Sequence, residues 1–280
     1  MSIKEIGSRD NAQYKALRQL ASSTQARRKA GQCLLDGIHL CQAYLLQVGL
    51  PDVCVLGAAA RSNPEVDEIV TRCLAAGARC LVLADGLFGQ LSQVEHGIEL
   101  LFVISTPVPT PAPVLSQSAV LLDNVQDPGN VGSILRSAAA AGIGTVYCGP
   151  GTAFAWSSKV LRAGMGAHFS LAIHENLDLS ASIKAATIPV YATSSHASAT
   201  LYELGLQGEV AWLFGHEGRG VAGDLMALTT AAISIPHLGP VESLNVAASA
   251  AICFFEQVRQ KVAHQAAHQA AHQAAHQAAN

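Results

Sequence analysis

The sequence lacks any long, uninterrupted run of apolar residues. A membrane-spanning helix needs about 20 consecutive apolar residues, and every apolar stretch of this 280-residue chain is shorter or is broken by Asp, Gly or Pro. The first residues also lack the apolar centre of a secretory signal peptide. We therefore expect a protein of the cytoplasm that has no membrane partner.

Several local patterns with known chemistry are missing as well. The seven cysteines form no C-x-x-C pair and are odd in number, which favours buried free thiols over a disulfide framework or a zinc site. There is no G-x-x-x-x-G-K-[ST] loop for a nucleoside triphosphate, no G-x-S-x-G hydrolase turn, and no G-x-G-x-x-G where a dinucleotide would need it. These absences leave the common nucleotide-binding and hydrolase classes without support.

Charged residues are scarce, at 13% of the chain, and they are unevenly distributed. Residues 1–30 contain seven Lys or Arg against two acidic residues, whereas the remainder contains ten basic and eighteen acidic residues. A basic segment on an acidic body indicates a local contact with a polyanion, although a solvated helix face explains the charge equally well. The candidates for nucleic-acid contact are Lys15, Arg18, Arg27, Arg28 and Lys29.

Proline is concentrated in one place, the segment T-P-V-P-T-P-A-P-V at residues 106–114. Such a segment is typical of an extended linker that packs no core. It separates residues 1–105, where short strands and helices alternate in a smaller α/β domain, from residues 115–262. In this second domain buried-looking strands alternate with helices, which predicts a mostly parallel sheet covered by helices on both faces.

The C-terminal residues 263–280 repeat a four-residue unit with His264, His268, His272 and His276. Histidines four residues apart on a helix can hold a metal ion. The repeat has no acidic partner, however, and its low complexity favours a simple extension of the last helix that frays in solution. We therefore predict no metal site.

Glycine and polar residues gather after three apolar strands, at residues 127–136, 214–221 and 235–250. In open α/β sheets, ligands bind at such positions. In the first segment Asn130 is suited to open a helix over residues 130–141, and Arg136 is either a surface charge or a functional group. Taken singly, each segment is an ordinary turn between a strand and a helix.

The three segments together are far more specific. They read N-x-x-D-P-G-N-x-G-x-x-x-R-x-A at 124–138, G-x-E-G-x-G at 215–220 and I-P-x-x-G-x-x-x-S-L-N-V-A at 235–247. In this order they resemble the three motifs of the SpoU (TrmH-like) branch of the SPOUT RNA methyltransferases, over residues 115–262. Ser249 stands where that family has alanine. The N-terminal region more weakly resembles the small α/β domain with which many members bind RNA.

The resemblance implies a fold and an activity. It implies a C-terminal trefoil knot, S-adenosyl-L-methionine as methyl donor, a ribose 2′-hydroxyl as acceptor, and a homodimer whose sites are completed across subunits. The family's catalytic positions correspond to Arg136, Asn130, Glu217, Ser243 and Asn245. Its cofactor-binding positions correspond to Leu213, Phe214, Gly215, Gly220, Ile235, Pro236, Ser243, Leu244 and Asn245. Arg136 also joins the expected RNA contacts, and Glu217 with Asn130 is expected to orient it.

Several alternatives remain open at this point. Ribosomal RNA is the favoured substrate because the N-terminal domain with its basic cluster resembles that of the rRNA-modifying members, and transfer RNA is the alternative. A non-catalytic RNA-binding or ribosome-assembly factor with this fold is a second hypothesis. A base-methylating enzyme from another SPOUT branch is a third.

Overall fold

The computed structural model describes residues 3–92, 97–108 and 112–278, without the side chains of residues 270, 271 and 274–278. The helices are α1 (Ala12–Ser22), α2 (Thr24–Ala30), α3 (Ile38–Gln47), α4 (Pro64–Ala75), α5 (Pro128–Ala140), α6 (Ser158–Gly164), α7 (Leu179–Lys184), α8 (Gly223–Met226) and α9 (Val246–Ala278). The strands are β1 (Lys4–Ile6), β2 (Gln32–Asp36), β3 (Val53–Gly57), β4 (Arg79–Leu83), β5 (Leu100–Ser105), β6 (Ala119–Leu122), β7 (Thr145–Cys148), β8 (Ala172–His174), β9 (Val190–Thr193), β10 (Ala211–Phe214) and β11 (Ala231–Ile233).

The chain divides into two compact units. The first combines Met1–Val108 with Phe154–Ser170, and the second combines Pro109–Ala153 with Leu171–Asn280. The sequence-based boundaries assigned residues 154–170 to the second domain, and the structure groups them with the first. The reason lies in local packing, because α6 contacts β2 and the ring of Phe169 meets the Tyr44 ring edge-on at 5.3 Å.

The first unit contains a five-stranded mixed sheet in the order β1-β4-β3-β5-β2. Its first helix shows how the local sequence sets the structure. Asn11 caps α1 by accepting a hydrogen bond from the Gln13 backbone N–H at 2.9 Å, and the apolar stripe of α1 lies buried against the sheet. The hydroxyl of Tyr14, at the centre of that stripe, donates to the Leu87 carbonyl at 3.0 Å.

The second unit contains a six-stranded sheet in the order β11-β9-β10-β6-β7-β8, and every described pair is parallel. Helices cover both faces of the central strand β10. Leu213 packs into a core with residues of α7 and α8, whereas the neighbouring Trp212 donates to Gln257 of α9 at 2.9 Å. The predicted parallel α/β architecture is confirmed, and the knot stays a prediction.

Some element boundaries differ from the sequence-based predictions. Helix α5 begins at Pro128 because Asp127, and not Asn130, is its cap, with Asp127 Oδ1 accepting from the Asn130 N–H at 2.9 Å. Strand β8 begins only at Ala172 because a 3₁₀ turn occupies Ala167–Ser170. Helix α9 continues to Ala278, so the repeat extends the last helix as its composition indicates.

All seven cysteines are buried free thiols, as predicted. Across the described ranges, no helix is both long and apolar enough to cross a lipid bilayer.

Candidate functional site

The three motif segments meet at the carboxyl edge of the parallel sheet of the second unit. Glu217 accepts hydrogen bonds from the Asp127 N–H at 3.0 Å and the Asn130 side-chain amide at 3.1 Å through one oxygen. Its other oxygen accepts from the Gln126 N–H at 3.2 Å. Asn245 in turn donates to Asn130 Oδ1 at 2.9 Å. A continuous chain of hydrogen bonds, Glu217–Asn130–Asn245, therefore joins the three motifs.

The charge state of Glu217 follows from this environment. Partial burial pulls its pKa upward, but the hydrogen bonds from Asn130 and from the backbone N–H groups of Asp127 and Gln126 outweigh burial. The pKa of Glu217 therefore lies below its usual range. At neutral pH the side chain is a carboxylate whose oxygens are occupied by donors. It is suited to hold the first motif in place and poorly suited to take up a proton.

A tight glycine turn presents Glu217 to the first motif. The Gly220 N–H donates to the His216 carbonyl at 2.8 Å, and Gly220 has a φ of +70°. A Cβ added to Gly215 would lie 2.1 Å from the Gly220 carbonyl carbon and from the Val221 nitrogen. Glycine at 215 allows this close backbone approach, and glycine at 220 allows the left-handed conformation.

Asn245 links two structural roles. Its Oδ1 accepts from the backbone N–H groups of Ala247 at 2.9 Å and Ala248 at 3.3 Å, so it caps α9. Its amide nitrogen is the group that donates to Asn130. Asn245 therefore holds the start of α9 and the first motif at the same time. The exposed Ser243 makes no hydrogen bond within the described part of the chain.

Arg136 takes no part in this hydrogen-bonded cluster. It is exposed on α5 and makes no hydrogen bond or ion pair with the described residues. The bonds of Glu217 and Asn130 go to the loop backbone, to each other and to Asn245. The expected orientation of Arg136 by Glu217 and Asn130 is therefore absent from the structure, and its guanidinium is available to an anionic ligand.

The expected cofactor positions surround the end of β10 and the loop before α9. Leu213 and Phe214 are fully buried, whereas Pro236 is exposed and Ile235 and Leu244 are half-buried. Among the described residues, the backbone N–H and C=O groups of residues 235–244 have no hydrogen-bond partner. An apolar strand end beside a loop with free backbone donors and acceptors fits a ligand that carries both an aromatic base and polar groups.

The basic cluster of the first unit is only partly a surface feature. Lys15, Arg18, Arg28 and Lys29 are exposed, but Arg27 is 5% exposed. Its guanidinium donates to the carbonyls of Leu20 and Ala21 and to Thr24. The prediction that Arg27 contacts RNA is therefore corrected, because this side chain satisfies the carbonyls at the end of α1.

Three contributors to these surfaces are not evident from the sequence. Gln126 and Asp127 hold Glu217 through their backbone N–H groups, and side-chain patterns do not reveal backbone donors. Phe154 lies under the guanidinium of Arg28, with 4.7 Å from the guanidinium carbon to the ring centroid. No spacing pattern connects residues 28 and 154, so only the structure reveals this pair.

Comparisons with known proteins agree with this geometry. Residues 117–255 match the model of the SpoU rRNA Methylase family. The 23S rRNA (guanosine(2553)-2′-O)-methyltransferase RlmP of Bacillus subtilis is 31% identical over 255 residues, which cover 90% of this chain and 98% of that protein. An AdoMet-bound rRNA methyltransferase from Sinorhizobium meliloti is 25% identical with a TM-score of 0.80, covering 92% of this chain and 98% of that one. An RNA 2′-O ribose methyltransferase is 26% identical with a TM-score of 0.77, covering 92% and 99%. The chain belongs to the SpoU rRNA methylase family.

Proposed function

We propose that this protein transfers a methyl group from S-adenosyl-L-methionine to a ribose 2′-hydroxyl of ribosomal RNA. The observation that carries the proposal is the hydrogen-bond chain Glu217–Asn130–Asn245, because it assembles all three motifs at one edge of the sheet. The relatives named as 23S rRNA 2′-O-methyltransferases favour ribosomal over transfer RNA. Modification of ribosomal RNA implies a cytoplasmic location.

S-adenosyl-L-methionine supplies an activated methyl group. The residues that would hold it are the end of β10, with Leu213, Phe214 and Gly215, and the loop of Ile235, Pro236 and Ser243–Asn245, with Gly220 shaping the turn between them. The half-buried side chains of Ile235 and Leu244 suit the adenine ring, whereas Leu213 and Phe214 are fully buried and would offer backbone groups. The free backbone groups of the loop suit the polar parts of the molecule. Asn245 fixes the end of this loop because it is bound to both α9 and Asn130.

The acceptor hydroxyl needs a partner for the negative charge that develops on its oxygen. Arg136 is exposed and unpaired within the described part of the chain, and a guanidinium stays cationic at neutral pH. It is therefore suited to stabilise the developing alkoxide. Glu217 is unsuited to accept the proton because its oxygens already bind three donors. A phosphate of the RNA is our candidate for the acceptor.

RNA binding is assigned to the exposed cations of the first unit. Lys15, Arg18, Arg28 and Lys29 lie on α1 and α2, and neutralising phosphates with such side chains supplies much of the affinity for RNA. Lys15 also pairs with Asp10 at 3.0 Å. Such an exposed ion pair contributes little to stability. An RNA phosphate can therefore take the place of Asp10 as the partner of Lys15.

We further propose that the protein acts as a homodimer and carries the family's C-terminal knot. Two observations support the dimer. Arg136 makes no hydrogen bond or ion pair with the described residues of its own chain, and large apolar side chains are exposed on α9 and on the loop before it. These are Leu238, Val241, Phe255 and Val262, with exposed fractions of 105%, 58%, 48% and 59%. A second copy would bury this apolar surface.

The test is methyl transfer from labelled S-adenosyl-L-methionine to ribosomal RNA, followed by nucleoside analysis of the digested product. We expect a 2′-O-methylated nucleoside. Arg136→Ala should reduce the rate at least about 100-fold, as expected for the loss of a group that stabilises transition-state charge. Calorimetry should show that the variant still binds the cofactor. Arg79→Ala, which removes an exposed arginine from β4, is the matched control and should keep full activity.

Each alternative predicts a different result in the same assay. A methyl group on a base would assign the protein to a base-methylating branch. Wild-type protein that binds no S-adenosyl-L-methionine would favour the non-catalytic RNA-binding factor. Methyl transfer to tRNA but not to ribosomal RNA would show that tRNA is the substrate.

A further inference from the structure

A row of histidines runs along the end of α9. His264, His268, His272 and His276 recur every four residues, separated by Gln and Ala, and we call these four residues the histidine ladder. Helix α9 continues through them without a break. The side chains of residues 262–269 and of His272 are exposed, and the side chain of His276 lies outside the described residues. His264, His268 and His272 therefore project into solvent and pack into no core.

The spacing brings neighbouring imidazoles together. Residues four apart on a helix have Cβ atoms about 5–6 Å from each other, and the ring centroids of His264 and His268 are 4.5 Å apart at an interplanar angle of 79°. Two helical histidines at this spacing bind one Zn²⁺ in the H-E-x-x-H motif. Exposed rings rotate within nanoseconds, so each ring can direct one nitrogen to a shared ion.

Against the sequence-based expectation of no metal site, the 4.5 Å approach of the His264 and His268 rings leads us to propose that the histidine ladder binds divalent transition-metal ions, with one ion held by each pair of histidines four residues apart. Among the described residues no group of three or more His, Cys, Asp or Glu converges. Each ion therefore takes two imidazoles from the chain and completes its coordination with water. Four histidines provide two pairs that do not overlap, 264/268 and 272/276, so a full ladder holds two ions.

The ligand chemistry selects the ion. No Asp or Glu follows Glu256 in the sequence, so the ladder offers imidazole nitrogen without carboxylate oxygen. Imidazole suits Zn²⁺, Ni²⁺ and Cu²⁺, whereas Mg²⁺ and Ca²⁺ require oxygen ligands. An ion that bridges one helical turn also fixes that turn. Metal binding should therefore increase the helix content of this segment, which is too far from the core to gain stability from packing.

Two variants with equal numbers of histidines provide the test. H272Q/H276Q keeps the pair 264/268, whereas H268Q/H276Q keeps His264 and His272, which are eight residues and about 12 Å apart along the axis. In calorimetric titrations of the full-length protein with Zn²⁺, the first variant should bind one ion. The second should bind at least about tenfold more weakly, because its second imidazole no longer acts within the same turn. Circular dichroism at 222 nm should strengthen on adding Zn²⁺ only for the first.

The proposal is overturned if the two variants bind Zn²⁺ equally well, or if replacing all four ladder histidines with Gln leaves Zn²⁺ binding unchanged. It is likewise overturned if Mg²⁺ binds the wild-type ladder as tightly as Zn²⁺. S-adenosyl-L-methionine binding, measured on the same samples without metal, should be equal in all variants. Failure of the methyltransferase assignment would remove that signal from every sample and leave the metal titrations interpretable.

Discussion

Asn245 is the residue on which the motif cluster and the last helix both depend. Replacing it with Asp keeps an oxygen that can cap α9 but removes the N–H group that donates to Asn130. We expect Asn245→Asp to unfold at nearly the wild-type urea concentration and to lose methyl transfer about tenfold or more, since a hydrogen bond between the motifs is removed.

Asn245→Ala is the companion variant for this prediction. It removes the cap as well as the donor, so its free energy of unfolding should fall by about 1 kcal/mol. Urea unfolding monitored by circular dichroism separates the two effects. Wild-type activity in Asn245→Asp would show that the Asn130 contact has no functional role.

Arg27 and Arg28 are adjacent in sequence and differ completely in environment. Arg27 is buried on the carbonyls of α1, and burial lowers its pKa, whereas Arg28 is exposed above the ring of Phe154. Arg27→Ala leaves buried carbonyls without donors and should reduce the free energy of unfolding by about 1–3 kcal/mol.

Arg28→Ala should produce the opposite pattern. Its stability should stay within about 1 kcal/mol of wild type, the size of an exposed cation–π contact. Its RNA affinity should fall and the slope of log affinity against log salt should decrease by about one. Filter binding at several salt concentrations measures this slope. An unchanged slope would remove Arg28 from the RNA-binding surface.

These two arginines also define what the sequence can predict at the residue scale. Motif spacing identified Asn130, Glu217 and Asn245 because their roles depend on neighbours at fixed positions along the chain. Charge counting could not separate Arg27 from Arg28, since burial depends on how α1 and α2 pack. Motif spacing also could not reveal that Arg136 forms no hydrogen bond with Glu217, because spacing contains no information on side-chain direction.

Three elements of the second unit are tied together by Glu209, just before β10. Its carboxylate accepts from Lys261 of α9 at 2.8 Å and from the Ser118 N–H, beside β6, at 2.6 Å. These hydrogen bonds, that from Lys261 foremost, lower the pKa of Glu209 from 4.5 to about 2. A lowered pKa in the folded state means that the carboxylate stabilises the protein above about pH 4.5. This stabilisation is lost as the pH falls towards 2.

Glu209→Gln should therefore be less stable than wild type at pH 7, and the difference should shrink as the pH is lowered below about 4.5. Urea midpoints measured at several pH values from 7 down to 3 test this expectation. Glu68→Gln, at an exposed position of α4, is the control and should match wild type throughout. A difference for Glu209→Gln that grows on acidification would contradict the assigned role.

Helix boundaries show the limit of prediction at the scale of elements. Asn63 caps α4 by accepting from the Glu65 and Val66 N–H groups, and such a cap can be predicted because it uses side chains adjacent in sequence. The apolar periodicity of α9 stops near Val262, yet the helix continues to Ala278. Ala and Gln favour helix without any apolar face, so the composition of the repeat, and not its periodicity, indicates that the last helix extends into it.

At the scale of the whole molecule, the sequence predicted the parallel sheet of the second unit, because its strands are continuous apolar runs separated by helices. It could not predict that residues 154–170 group with the first unit, since that depends on contacts between residues distant in sequence. Strand order and knotting are likewise properties of the complete chain path. The periodicity of apolar residues predicts neither of them. The proposed association of two chains likewise cannot be inferred from periodicity.

The exposed apolar side chains of α9 make the proposed dimer testable. Phe255 is 48% exposed on the helix that also provides the buried Phe254 and Gln257. Phe255→Glu places a charge on the proposed interface, and burying an unpaired charge is strongly unfavourable. We expect light scattering to change from about twice the chain mass for wild type to the mass of one chain, with circular dichroism unchanged. Leu46→Glu, at an apolar residue of α3 that is 75% exposed, should leave the mass at the wild-type value. A dimeric Phe255→Glu protein, or a monomeric wild type, would contradict an interface on α9.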